Sequence, residues 1–137
     1  MNIVPYALSM AKKFYDKDTY DHVLRVATYV AENPMIDEDN MNDCIALAIM
    51  HDLYKDTGYP YHRNQLMIQD EHFLECMKLL RKPDDMKYEN YIKNIKEYSN
   101  INPEAYWVKI SDIKDHLLID TSDKLKEKYV KALSYLL

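Results

Sequence analysis

His51 and Asp52 stand side by side in Ile49-Met50-His51-Asp52-Leu53-Tyr54-Lys55-Asp56-Thr57-Gly58, at the end of a long apolar run. An imidazole beside a carboxylate at the end of a buried helix is a natural pair of metal ligands. Lys55 and Asp56 follow them at i+4, a spacing that shares a helix face. One short segment therefore presents a pair of candidate ligands with charged groups next to it. Further donors come from elsewhere in the chain. His22, in Tyr20-Asp21-His22-Val23-Leu24-Arg25-Val26-Ala27, has Val26 at i+4 and so lies on or beside an inward stripe. Asp112 falls among Trp107, Val108, Ile110, Ile113, Leu117 and Leu118, where an unpaired carboxylate costs several kcal/mol. Lys109, one turn earlier, is one partner that would satisfy it, and a metal ion is another. Together His22, His51, Asp52 and Asp112 make a mixed nitrogen and oxygen set suited to Mn²⁺, Fe²⁺, Zn²⁺ or Mg²⁺, with water completing the shell.

The elements that must position these residues are helices. The pattern predicts a helix from about Ile3 to Tyr15, then a second one capped by Asp18 or Thr19 and stopped at Asn33-Pro34, with His22 in its first turn. A third, capped by Asp37 or Asp39 and running from Met41 to about Tyr54, is apolar almost all round, which makes it central and lets it deliver His51 and Asp52 outward from the core. An irregular loop is expected over Tyr59 to Arg63. Further helices are expected at about Gln65 to Leu80, with a break near Asp70, and at Asp84 to Tyr98, where Tyr88, Tyr91, Ile92 and Ile95 form a packing stripe. Asn102-Pro103 opens the next by the rule of a cap followed by proline. Asp123 to Leu137, with Leu125, Tyr129, Ala132, Leu133 and Leu136 inward, closes the bundle.

Composition agrees. The 137 residues include one glycine and five prolines, too little turn material for hairpins, and the length suits one domain, 1–137, burying roughly two-thirds of its unfolded surface. The expectation is an all-α bundle of about six to eight helices around a metal site. A net charge of −5 without a basic run argues against a long nucleic-acid partner, while a small phosphorylated ligand needs only a local basic cluster. No apolar run approaches the ~20 residues that span a bilayer, and no secretory h-region opens the chain, so no membrane association and a cytoplasmic location are expected. Cys44 and Cys76, far apart and outside any CxxC, read as small core residues in a reducing compartment. His62 and His72 read as exposed polar residues.

The motifs resemble those of the HD-domain metal-dependent phosphohydrolases, in particular the small alarmone hydrolases and the hydrolase domain of RelA/SpoT enzymes. Tyr20 to Ala27 resembles the family's Tyr-x-x-His segment, and Met50 to Thr57, MHDLYKDT, its Leu-His-Asp-x-x-Glu-Asp-Thr. Leu79 to Ile95 and Asn102 to Leu117, NPEAYWVKISDIKDHL, are similar to two later family segments in the same order. The resemblance implies one Mn²⁺-type ion held by His22, His51, Asp52 and Asp112. It implies hydrolysis of the 3′-pyrophosphate of guanosine tetra- or pentaphosphate to GDP or GTP and pyrophosphate. It also assigns Asp56 to orienting or deprotonating the attacking water and places Lys109 and His116 at substrate-binding positions, where Lys109 either binds phosphate or partners Asp112 or Asp115. The family's phosphate-gripping basic residues have approximate counterparts in Lys12, Lys13 or Lys17, of which Lys17 lies nearest His22 in sequence.

Lys55 departs from the family pattern, standing where those enzymes carry the glutamate of the Glu-Asp pair. Several readings stay open: Lys55 assists at the site by pairing with a substrate phosphate, the site serves another small signalling nucleotide, or the fold is a non-catalytic module that sequesters a nucleotide. His116 occupies the position of a family asparagine.

Overall fold

The computed structural model describes residues 2–57, 67–120 and 122–137, apart from the side chains of Asp56 and Thr57. Every regular element among them is helical: α1 (Val4–Phe14), α2 (Lys17–Ala31), α3 (Glu38–Met50), α4 (Leu53–Thr57), α5 (Glu71–Leu80), α6 (Tyr88–Glu97), α7 (Pro103–Ile119) and α8 (Asp123–Leu136). The all-α bundle expected from the pattern is thus the observed fold. Among the described residues no helix is long and apolar enough to cross a membrane. The loop expected at Tyr59 to Arg63, and with it His62, lies outside the described residues.

α3 is the axis. Cys44 and every residue from Ala46 to Met50 are buried, because the helix packs on α1, α2, α5 and α7 at once and has no solvent face along its second half. It ends at Met50, earlier than the pattern suggests. Its last carbonyls lack intrahelical partners and find side chains instead: Tyr15 Oη donates to the Ile49 carbonyl at 2.6 Å, and His51 Nδ1 to that of Ala48. The turn at His51-Asp52 separates α3 from the short α4, so the expected continuous helix to Tyr54 is two helices with both ligand candidates at the joint.

Helix starts differ from the sequence pattern where a side chain captures an amide. Asp16, not Asp18 or Thr19, caps α2 by accepting from the Thr19 amide at 2.8 Å, which puts His22 in the second turn. Asp70 accepts from the Phe73 amide at 3.1 Å and starts α5 at Glu71, at the break expected near Asp70, while Gln65 lies outside the described residues. Pro83 to Met86 form a turn, with the Met86 amide donating to the Pro83 carbonyl, and Lys87 is the extended N-cap residue, so α6 begins at Tyr88. α3 begins at Glu38, three residues ahead of Met41, with Asp37 at its N-cap position. Leu118 and Leu125, expected inward, are 73% and 38% exposed. α7 otherwise buries a broad face that includes Lys109, Asp112 and Asp115. α2, α3, α5, α6 and α8 all pack against it, and that packing brings three distant stretches of sequence to one place.

Candidate metal centre and its cavity

His22 of α2, His51 and Asp52 at the α3–α4 joint, and Asp112 of α7 each offer one donor atom within 4.8 Å of the others. Asp112 Oδ1 is the focus: His22 Nε2 lies 2.9 Å from it and His51 Nε2 3.0 Å. Both rings also stand 3.4 Å from Asp52 Oδ2. All four are the residues the sequence singles out as ligands.

The outer nitrogens of the rings decide what the inner ones do. His51 Nδ1–H donates to the Ala48 carbonyl, and His22 Nδ1–H donates to Asp115 Oδ2 at 2.6 Å. With each Nδ1 proton committed outward, each Nε2 turns a lone pair toward two carboxylates unless the ring takes a second proton. A cation must therefore stand between these groups, as either protons or a metal ion. Outward Nδ1 bonds to carbonyl and carboxylate are the usual device by which proteins fix metal-binding imidazoles, so the residues fit a divalent ion.

The charge balance says the same. Burial alone would lower the His22 pKa, but the carboxylates of Asp112, Asp52 and Asp115 outweigh it and raise it from 6.5 to about 10. His51 is likewise raised against its burial, by Asp52 and then Asp112. Asp112 is held well below the ordinary carboxylate range despite burial, by Lys109 and His51 first. Lys109 Nζ donates to Asp112 Oδ2 at 2.9 Å, leaving Oδ1 to face the histidines. The partner that the sequence suggests for Asp112 and the metal centre thus coexist, one on each oxygen.

A supporting layer is visible only in three dimensions. Asp115, fully buried, accepts from His22, from Arg25 Nε at 2.8 Å and Nη2 at 3.1 Å, and from Tyr29 Oη at 3.2 Å. The signal for it was helical spacing: Arg25 at i+3 from His22 and Asp115 at i+3 from Asp112 put each on its ligand's face.

The centre opens into a cavity of about 420 Å³ whose wall includes His51, Asp52 and Asp112. Basic side chains dominate the rest of the lining: Lys55, Arg81, Lys82, Lys109 and Lys128, with Asp84 opposing them. Lys128 Nζ lies 4.1 Å from the centroid of Tyr88 and 5.2 Å from that of Tyr129. Its pKa is lowered by burial and then by repulsion from Lys109, Lys55 and Lys82, so the amines crowd one another. Tyr88 Oη is buried at this wall without a hydrogen-bond partner. His116 bridges centre and cavity: its Nε2 is 3.3 Å from Asp112 Oδ1, and its ring stacks on Tyr129 at 4.7 Å with planes 5° apart.

Of the other residues expected at the site, Lys55, Lys109 and His116 line the cavity. Lys17 does not; it is exposed and pairs with Asp21 at 3.0 Å. The side chain of Asp56 lies outside the described residues. Arg25, Tyr29, Arg81, Lys82, Asp115, Lys128 and Tyr129 join the site without having been expected there. No protein-family model matches the chain, and no curated protein matches its sequence.

Proposed function

We propose that this chain is an HD-type, metal-dependent phosphohydrolase of a small phosphorylated nucleotide, with guanosine 3′-pyrophosphates of the (p)ppGpp class as the first substrates to test. One observation carries the reading: His51, Asp52 and Asp112 of the four-residue cluster form part of the wall of a cavity to which Lys55, Arg81, Lys82, Lys109 and Lys128 also contribute. Metal donors beside converging cations suit a substrate that brings several negative charges to an electrophilic phosphorus. Mn²⁺ is the ion proposed, on the family resemblance and the mixed imidazole and carboxylate donors.

A divalent ion at such a centre lowers the pKa of a coordinated water from about 15.7 towards about 7 and offsets charge on phosphoryl oxygens. The chain's own residues supply the rest. Arg81, Lys82 and Lys128 bind phosphate oxygens, relieving the repulsion among the amines. Lys109 keeps Asp112 ionised and aimed, and His116, stacked on Tyr129, donates a hydrogen bond toward the substrate. Asp56 orients the attacking water in this reading. The rings of Tyr88 and Tyr129 offer apolar surface to a base. Free buried thiols at Cys44 and Cys76 support a reducing, cytoplasmic setting.

A second reading is favoured by Lys55, a cation at the cavity wall where the resembling enzymes carry a glutamate: a module that binds and sequesters the nucleotide without cleaving it. One assay separates the two. Purified protein with Mn²⁺ is incubated with ppGpp and a panel of other nucleotides, and release of pyrophosphate or phosphate is followed. Metal-dependent release from ppGpp supports the alarmone hydrolase; release from another nucleotide keeps the enzyme and discards the alarmone. Binding without release across the panel removes the hydrolase and leaves the sequestering module.

A further inference from the structure

Away from the cavity, a different set of donors meets where α5 packs on α7. His72 and Cys76 are one turn apart on α5, a spacing that aims both side chains the same way. Glu104, in the first turn of α7, meets them there: His72 Nε2 is 2.8 Å from Glu104 Oε2, and Cys76 Sγ is 3.9 Å from His72 Nε2. The three donor atoms all fall within 4.8 Å of one another.

We propose that His72, Cys76 and Glu104 form a second metal site, for a borderline divalent ion of the Zn²⁺ type, which pins α5 to α7. The site rests neither on the phosphohydrolase reading nor on an ion in the His/Asp centre.

An ordinary ion pair between His72 and Glu104 explains less of what surrounds them. Glu104 is 6% exposed and Cys76 1%, so a carboxylate and a thiol are sunk beneath one partly exposed imidazole. More negative groups crowd in: the Asp43 pKa is raised by burial, then by Asp70 and Glu104, with His72 and the chain's amino terminus pulling it down. Cys44 is raised to about 12 by burial and then by Glu104 and Asp43. Three carboxylates, Asp43, Asp70 and Glu104, thus lie close enough to repel one another, with the imidazole of His72 and the chain's amino terminus as the cations that offset them. A dication supplies the missing charge.

The donor chemistry selects the ion. Thiolate, imidazole and carboxylate together suit Zn²⁺, at bond lengths of about 2.0–2.3 Å in a tetrahedral shell. Cys76 Sγ stands 3.9 Å from His72 Nε2 and 3.8 Å from Asn102 Oδ1, beside the first turn of α7. On binding, the thiol proton leaves to solvent as the sulfur bonds the ion, and a water takes the fourth position. The partly exposed His72 ring gives the ion its way in. The consequence reaches the cavity, because α5 leads directly into Arg81 and Lys82 while α7 carries Asp112.

Cobalt(II) tests this on the full chain, since only a thiolate ligand gives the near-ultraviolet sulfur-to-cobalt charge-transfer band, and the His/Asp centre contains no sulfur. The band is expected in the unaltered protein and in Asp52→Asn, which touches only the His/Asp centre. It should vanish in Cys76→Ser, and in His72→Ala, compared once circular dichroism shows the variant folded, cobalt should bind about tenfold more weakly or worse. Failure of the band to form in the folded protein, its survival in Cys76→Ser, or unchanged affinity in His72→Ala overturns the proposal. Loss of Mn²⁺ binding in Asp52→Asn with the band retained shows that the two sites stand or fall separately.

Discussion

Asp115 Oδ2 lies 2.6 Å from His22 Nδ1, across 93 residues of sequence, and this contact fixes which nitrogen of His22 faces the centre. Replacing Asp115 by asparagine keeps the shape but allows the amide to present a donor to Nδ1, favouring the tautomer with its proton on Nε2. Divalent-ion affinity should fall about 10- to 100-fold, read by Mn²⁺ titration, with the far-ultraviolet circular dichroism unchanged.

The same histidine sets a pH dependence with opposite signs for folding and for metal. His22 in the ion-free chain has its pKa raised from 6.5 to about 10. A raised folded-state value stabilises fully below the unfolded pKa and is lost as pH climbs through the folded one. Ion-free protein should therefore become easier to unfold in urea between about pH 7 and 10. Metal affinity should rise over that window, because each ion must displace protons from the imidazoles. Proton release on binding, measured by calorimetry in buffers of different ionisation enthalpy, checks the sign.

Lys109 is buried and tied to Asp112 at 2.9 Å. Lys109→Met removes the cation from one oxygen of a buried carboxylate, and breaking a buried pair costs about 3–5 kcal/mol. The loss should be largest without metal and smaller in saturating Mn²⁺, where the ion still compensates Asp112. Urea unfolding with and without Mn²⁺ measures both.

Lys128 touches substrate phosphates in this account but no metal donor. Lys128→Ala should weaken nucleotide binding by about tenfold, the scale of one charge-assisted contact, and leave Mn²⁺ stoichiometry unchanged. Added salt should narrow the difference between the two proteins. Equal nucleotide affinities at low salt would remove Lys128 from the binding surface.

Parts of this site were legible in the residues alone. His51-Asp52 stood out because an apolar helix ran straight into it, and Asp112 because a carboxylate on an apolar stripe demands a cation. Asp115 offered a weaker clue: its partners Arg25 and Tyr29 are 90 and 86 residues away, and nothing local says that α2 and α7 pack side by side. Lys128 and Tyr129 were hidden for the same reason, since they reach the cavity only through the docking of α8. Helix starts were misread where a side chain outcompeted periodicity. Asp16, ahead of the periodic positions, takes the Thr19 amide and starts α2, whereas at α5 the break expected near Asp70 is the observed boundary. Lys17 illustrates the converse: proximity to His22 in sequence suggested a phosphate ligand, while its helical face turns it to Asp21 and solvent.

The most direct test of the centre is Mn²⁺ bound per chain, followed by electron paramagnetic resonance, in the unaltered protein beside Asp52→Asn. The substitution keeps size and shape at a residue whose carboxylate faces both histidines at 3.4 Å. The account predicts one tightly bound Mn²⁺ in the unaltered protein and affinity at least about tenfold weaker in the variant. Equal binding by the two proteins, or none by either while both are folded, would contradict it.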